Sequence, residues 1–288
     1  MDIAVALPMR NYQADELAGF ANVAENSAFS CINVGERLCF DDHEALTALS
    51  VLAGMTQRVR LMTGVLVLPV HDPVVLAKRA ASLDILSNGR LVLGVGVGSR
   101  KPDFDVTGAD WHTRGIRTEE QIAIMRRVWS GEPPYPGTEP VAPQPPRGRP
   151  PIIIGGFSEP ALRRAGRIAD GFHSFDFSPD PRLHEERYRI IKKAWDESGR
   201  AGKPRLIAST FFSLGPNARE IYEQGMAEFY GYTEEMRRWA MAPDALTTPG
   251  AIRDSVKRFE DAGVDEVLFA TAHHLGPESW EWLADALA

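Results

Sequence analysis

Short apolar runs rich in β-branched residues alternate with stretches of helical periodicity along the whole chain. The strand-like runs cover residues 3–7, 31–34, 59–68, 91–97, 151–154, 171–175, 206–214 and 266–270. Between them, apolar positions recur at helical spacing: Ile122, Met125 and Trp129; Ala161, Leu162, Ala165 and Ile168; Ile252, Val256 and Phe259; Trp280, Leu283 and Leu287. The run Leu-Met-Thr-Gly-Val-Leu-Val-Leu at 61–68 is apolar on both faces, as in a parallel sheet covered by helices.

Eight such βα units in 288 residues predict an α/β fold closed into a (β/α)8 TIM barrel, one domain over residues 1–288. An open dinucleotide-binding sheet fits less well. The glycine motif at 94–98 is spaced G-x-G-x-G, follows the fourth strand instead of the first, and lacks the carboxylate about 20 residues on. Nine of the 21 prolines lie at 132–151, which excludes helix and inner strand there and predicts an extended wrap on the face opposite the site. An insertion after strand 7, at 215–247, emerges on the catalytic face. Its Tyr222, Phe229, Tyr230, Tyr232, Met236 and Trp239 suit either the roof of a pocket or the core of an ordinary helix pair.

Charge and cysteine usage narrow the partners. A net charge of −7 with no basic block predicts neither a nucleic-acid nor an anionic-membrane surface, and small molecules become the expected partners. Two cysteines, Cys31 and Cys39, make no disulfide framework and have no metal-type spacing, so a cytoplasmic setting is expected. No run approaches 18 apolar residues, and the N-terminus does not read as an export signal. Seven histidines include His273-His274 after the last strand, yet neither His-x-His on the first strand nor His-Glu-x-x-His occurs, and no metal is expected.

In a barrel of this kind, chemistry sits at the C-terminal ends of the strands. Those ends are Pro8; Gly35, Glu36 and Arg37; Thr63, Gly64 and Val65; Gly98, Ser99 and Arg100; and Gly155, Gly156, Phe157 and Ser158. The fourth strand reads Leu-Val-Leu-Gly-Val-Gly-Val-Gly-Ser-Arg, with glycine at alternate positions 94, 96 and 98. That pattern predicts either bare backbone against which a flat ligand lies or a bulged strand packed on its neighbour. Gly155 to Ser158 precede a helix with proline in its first turn, a pattern that can cradle a phosphate. Glu36 and Asp176 stand at strand ends as a glycosidase carboxylate pair might be sought, but glycine-lined strands point to a planar ligand instead. No Gly-x-Ser-x-Gly elbow is present.

Several segments together resemble the bacterial luciferase-like monooxygenase superfamily of flavin- or deazaflavin-dependent barrels: residues 59–69, 72–84, 89–98, Arg114-Gly115, and Pro151-Ile-Ile-Ile-Gly-Gly156 with Ala169-Asp-Gly171. The resemblance covers nearly the whole chain. It implies a cofactor ring at the barrel mouth over the third and fourth strands, on Thr63, Gly64, Val65, Gly96, Val97 and Gly98. It places the cofactor phosphate near Gly155, Gly156, Phe157 and Ser158, and a non-prolyl cis peptide at Gly64–Val65. Many relatives carry an acidic residue followed by His after strand two, whereas this chain has Glu36-Arg37. The short chain and its Gly-Val-Gly-Val-Gly-Ser-Arg segment resemble the coenzyme F420 branch more than the longer FMN monooxygenases, which makes coenzyme F420 the expected cofactor and FMN the alternative. The expected reaction is hydride transfer between the deazaflavin and a small organic substrate. A separate flavin reductase would be a partner in the FMN case, a flavin-binding relative without turnover is the non-enzymatic alternative, and a homodimer is implied. Glu36 is the candidate catalytic residue, as proton donor or orienting group, Arg100 the candidate cofactor-binding residue for an anionic tail of cofactor or substrate, and His173 a cofactor-binding partner near the phosphate; each also has a purely structural reading as a rim ion pair, a mate of Asp103, or a half-buried strand histidine.

Overall fold

The computed structural model describes residues 1–9, 12–230, 234, 244–271 and 275–288. Its strands are β1 (Asp2–Ala6), β2 (Cys31–Val34), β3 (Arg60–Thr63), β4 (Leu66–Val67), β5 (Leu91–Gly96), β6 (Ile152–Gly155), β7 (Gly171–Phe175), β8 (Arg205–Phe211) and β9 (Glu266–Ala270). All pairings are parallel, in the order β3-β2-β1-β9-β8-β7-β6-β5-β4, and a further pairing of β3 with β5 closes the ring. Because β3 and β4 are halves of one stave, the barrel has eight staves. The (β/α)8 architecture expected from the hydrophobic pattern is the one observed.

The break in the third stave has a simple register origin. From Met62 to Leu66 that stave advances four residues, while its neighbour advances three from Val92 to Val95. One extra residue makes a bulge. It falls at Gly64–Val65, whose peptide bond is cis, as the family resemblance implied.

Side chains alternate across the wall. Ala4, Ala6, Cys31, Met62, Val92, Ile153, Ile207 and Leu268 meet inside the barrel, whereas their neighbours Leu61, Leu91, Leu93 and Val95 join the larger core under the helices. The covering helices are α1 (Ala14–Asn26), α2 (Ala45–Met55), α3 (Pro73–Leu86), α4 (Lys101–Thr107), α5 (Arg114–Trp129), α6 (Glu159–Ile168), α7 (Pro181–Glu197), α8 (Ala218–Tyr230), α9 (Pro249–Asp261) and α10 (Glu278–Leu287). The α5 stripe of Ile122, Met125 and Trp129 is buried, and Trp129 Nε1 donates to the Ala77 carbonyl at 2.9 Å, tying α5 to α3. The proline segment forms no helix or strand and runs from α5 to the start of β6, at the end away from the strand tips. The insertion after the seventh stave begins with α8, whose Tyr222 and Met226 bury against Phe177 and Phe211 at the barrel mouth. Tyr232, Met236 and Trp239 of the same insertion, and His273 and His274, lie outside the described residues, as do the side chains of Phe229 and Tyr230. Among the described residues no helix is long and apolar enough to cross a membrane.

The opposite end of the barrel is closed by charge. Glu266, 1% exposed, accepts from Arg60 at 2.7 Å, Arg205 at 3.1 Å and Ser30 Oγ at 3.0 Å, and both arginines also reach Asp2, at 2.9 and 2.6 Å. A carboxylate this buried is tolerable only with such partners. Removing it leaves two guanidinium groups facing each other across the barrel floor. Glu266→Leu is therefore expected to lower the unfolding free energy by about 3 kcal/mol, measured by urea denaturation; an unchanged midpoint would refute the structural role.

Candidate functional site at the barrel mouth

The glycine wall of the fourth stave is occupied by protein. Gly94 and Gly96 share the interior parity of Val92, and the bulge swings Val65 onto them. A Cβ on Gly96 would lie 2.9 Å from Val65 Cγ2, one on Gly155 of the next stave 3.0 Å from Val65 Cγ1, and one on Gly94 would collide with the Thr63 carbonyl. Gly96 and Gly155 thus make room for Val65, and Gly94 for the Thr63 carbonyl. Gly98 does not join them: its φ is +76°, and it packs beneath Val67 and Phe104. The expectation that alternate glycines present bare backbone is corrected in this respect, because the extra residue in the bulge has to put its side chain somewhere. The interior surface offered at the mouth is Val65 and the Gly64–Val65 peptide. Beside them Thr63 Oγ1 donates to the Gly94 carbonyl at 2.7 Å, Gly64 N–H donates to the Val34 carbonyl at 2.8 Å, and the amide nitrogen of Asn33 is buried against Gly64 without a hydrogen-bond partner. Val97, half-buried, follows β5.

Glu36, 7% exposed, lies just beyond β2. Its Oε2 accepts from the Val67 N–H at 2.7 Å, and His71 Nε2 stands 2.9 Å from Oε1 and 3.0 Å from Oε2. His71 is brought there by local structure. Pro73 opens α3, Asp72 caps it through the N–H groups of Val74 and Val75, both at 2.9 Å, and Gln121 Nε2 holds the His71 carbonyl at 2.7 Å. Sequence reasoning passed over His71 because it ended the third stave at Val65; the bulge lets pairing resume at Leu66 and Val67, and a 3-10 turn over Leu68–Val70 then carries the chain to His71. The signal was present as a histidine directly before an Asp-Pro helix start. The carboxylate–histidine pair looked for in consecutive residues is here shared between two neighbouring staves.

Arg100 and Arg37 lean on one ring. Their guanidinium carbons stand 4.5 and 4.8 Å from the centroid of Phe40, which packs against the mouth cluster of Phe177, Phe211, Tyr222, Met226 and Ala245. Arg100 Nε is buried without a hydrogen-bond partner, and Asp103 Oδ1 accepts from the Cys39 N–H at 3.2 Å. Phe157, half exposed, meets Phe175 edge-on at 6.0 Å and adds to the aromatic rim.

The loop before α6 is less open than its sequence suggests. Pro160 has no N–H, and those of Ala161 and Leu162 are taken by the Ser158 carbonyl at 2.9 and 3.1 Å. Anion donors there would come from the loop backbone at Gly156 to Ser158 and from the exposed Ser158 hydroxyl, which caps nothing. Gly156 also has a packing reason, since a Cβ there would sit 2.8 Å from Ala161 Cβ.

His173 pairs in register with Gly155 and is 8% exposed, its Nε2 2.9 Å from Ser209 Oγ. Burial pushes its pKa down to about 4, so the ring is neutral near pH 7. Behind it, His184 Nδ1 meets Ser174 Oγ at 2.8 Å and burial lowers His184 to about 3. Asp176 is occupied by Arg187 at 3.0 Å, which removes it from any carboxylate pair with Glu36. No group of three or more His, Cys, Asp or Glu that could hold a metal occurs among the described residues. A concavity of about 430 Å³ lined by Met1, Asp2, Lys203, Arg205 and Asp265 lies at the charged floor, at the far end from these residues.

The fold is a (β/α)8 barrel, and the chain belongs to the luciferase-like monooxygenase family, whose model matches residues 1–247. It is 30% identical over 249 residues to an F420-dependent glucose-6-phosphate dehydrogenase of Microbacterium testaceum, covering 81% of this chain and 70% of that one. Among solved structures, the coenzyme F420-dependent tetrahydromethanopterin reductase of Methanopyrus kandleri matches 99% of this chain and 97% of its own with a TM-score of 0.80 at 19% identity. A monooxygenase from Streptomyces bottropensis matches 100% and 98% with a TM-score of 0.78 at 20% identity.

Two outcomes test this geometry. Gly96→Ala is expected to cost about 1–3 kcal/mol by overpacking Val65, and Val65→Ala in the same chain to recover part of it; additive losses in a double-mutant cycle would contradict the contact. The neutral histidines give a pH signature. Their unfolded forms protonate below the ordinary value of 6.5 while the folded forms resist until about 4 and 3, so they make stability fall as pH drops from about 6.5 toward 4. Asp42, raised to about 6 by burial, acts in the opposite sense over part of that interval. Thermal midpoints of wild type and His184→Gln are thus compared as a difference, and the variant is expected to lose less on acidification.

Proposed function

We propose that this enzyme transfers a hydride between a deazaflavin of the coenzyme F420 type and a small organic substrate held at the barrel mouth. The observation that carries the reading is the buried Glu36–His71 pair standing beside the bulge. The 30%-identical F420-dependent dehydrogenase supports the cofactor class. The fit of a planar ring rests on this chain's own mouth: Val65 as a floor, the unpartnered Asn33 amide as a donor beneath it, and Phe157, Phe175, Phe177 and Phe211 as apolar walls. The loop Gly155 to Ser158 would hold the phosphate, with Arg100 at the rim.

When bound, coenzyme F420 supplies a carbon centre that exchanges an electron pair as hydride. A hydride leaving a substrate carbon requires the adjoining oxygen or nitrogen to lose a proton, and the reverse reaction requires one to be supplied. Glu36 with His71 is the pair placed to hold that proton, at Glu36 Oε1 or His71 Nε2. The Val67 N–H fixes the other carboxylate oxygen, so the pair is pre-oriented. The aromatic walls exclude water that would compete for the proton. His173, buried and neutral, acts as a positioning residue for the seventh stave through Ser209.

A second reading, an FMN-dependent monooxygenase served by a separate reductase, is favoured by the fold shared with the Streptomyces monooxygenase. Titrating the purified protein with coenzyme F420 and FMN, and following oxygen uptake with reduced FMN, separates the two. Saturable F420 binding without oxygen uptake is expected; FMN binding with oxygen uptake would transfer the assignment. Glu36→Gln and His71→Gln are each expected to lower kcat by about 10²-fold or more while the cofactor affinity stays within a factor of about two. Unchanged kcat in both variants would remove the pair from the chemistry.

A further inference from the structure

Two cations converge on the mouth from separate staves. Arg37 follows β2 and Arg100 follows β5, and both guanidinium groups lean on the ring of Phe40, which itself packs on the aromatic cluster of the mouth. A planar ring beneath two guanidinium groups fixes where their N–H edges lie. Glu36 and Asp103 each have other hydrogen-bond partners. Both Glu36 oxygens are held by the Val67 N–H and His71, and Asp103 Oδ1 holds the Cys39 N–H. Asp42 contributes negative charge near Arg37. Arg100 keeps a buried Nε donor with no hydrogen-bond partner, an arrangement that costs stability unless a ligand completes it.

We propose that Arg100 and Arg37 form a rim subsite for an oxyanion, a carboxylate or phosphate carried by the organic substrate, so that the enzyme acts on acids and discriminates against their neutral analogues. The proposal rests on the mouth being the place of hydride transfer and names the class of molecule that enters it. An anion fixed at the rim would set the distance from its charged end to the carbon over Val65, and a neutral analogue would leave the Arg100 Nε buried and unpaired.

The oxyanion could belong to the cofactor's own phosphate, and the test separates the two sources. Purified full-length wild type, Arg100→Gln, Arg100→Lys and Arg37→Gln are titrated with inorganic phosphate at constant ionic strength against chloride, following the thermal midpoint. Phosphate is expected to raise the wild-type midpoint, with apparent affinity falling about tenfold in Arg100→Gln and less in Arg100→Lys, as loss of a charge-assisted hydrogen bond predicts. No response in the wild type, or the same response in Arg100→Gln, overturns the subsite. In the second arm, the affinities for coenzyme F420 and FMN are expected to be equal in wild type and Arg100→Gln. A tenfold loss of cofactor affinity in that variant assigns the arginines to the cofactor and overturns the substrate class, leaving hydride transfer in place. A phosphate response that depends on Arg100 in a protein binding neither cofactor upholds the anion subsite and removes the hydride-transfer reading.

Discussion

One extra residue in the third stave governs the mouth of this barrel. The bulge turns Val65 inward against two glycines on the next two staves, Gly96 and Gly155, while Gly94 makes room for the Thr63 carbonyl just before it. Without the glycines, Val65 would collide; without Val65, a hole would open between two strands in a region where side chains otherwise touch. The same bulge lets pairing resume at Leu66 and Val67, and the turn that follows brings His71 to Glu36. Floor and Glu36–His71 pair therefore descend from a single register defect.

Polar groups inside the barrel are managed differently at the two ends. At the floor, charge is answered by charge, with Glu266 and Asp2 set between Arg60 and Arg205. Toward the mouth, burial keeps His173 on the sixth stave and His184 on α7 neutral, with Ser209 Oγ at one ring nitrogen of His173 and Ser174 Oγ at Nδ1 of His184. The first solution ties β1, β3, β8 and β9 together at the barrel floor. The second keeps these two imidazoles uncharged, while Arg37 and Arg100 lean on Phe40 and Arg187 is paired with Asp176.

The architecture was legible because burial on both faces writes long apolar runs, and every one of the eight predicted runs overlaps a stave. Helix stripes such as Ile122, Met125 and Trp129 were readable for the same reason. What the sequence could not say is which object fills the space above a glycine: the alternation at 94–98 is the same whether a ligand or a valine lies there, and only the neighbouring register decides. Glu36 was visible as a strand-end carboxylate, yet its partner was not, because a bulge displaces the strand end by an amount that no periodicity records. Gly98, by contrast, belongs to the turn, where its φ of +76° and the closeness of Phe104 explain it without a ligand.

The division of the buried Glu36–His71 pair between two βα units has a consequence for how such a protein can be recombined. Glu36 and His71 are separated in the chain by helix α2 and the whole third stave, yet they meet through one hydrogen-bonded contact. A chimera whose crossover falls anywhere between these two positions takes one partner from each parent, and it inherits a buried carboxylate or an imidazole without its mate. Crossovers before Glu36 or after His71 transmit the pair intact. The natural module of exchange in this barrel is thus the span from the second stave to the start of α3, larger than the single strand–helix unit by which such folds are usually divided.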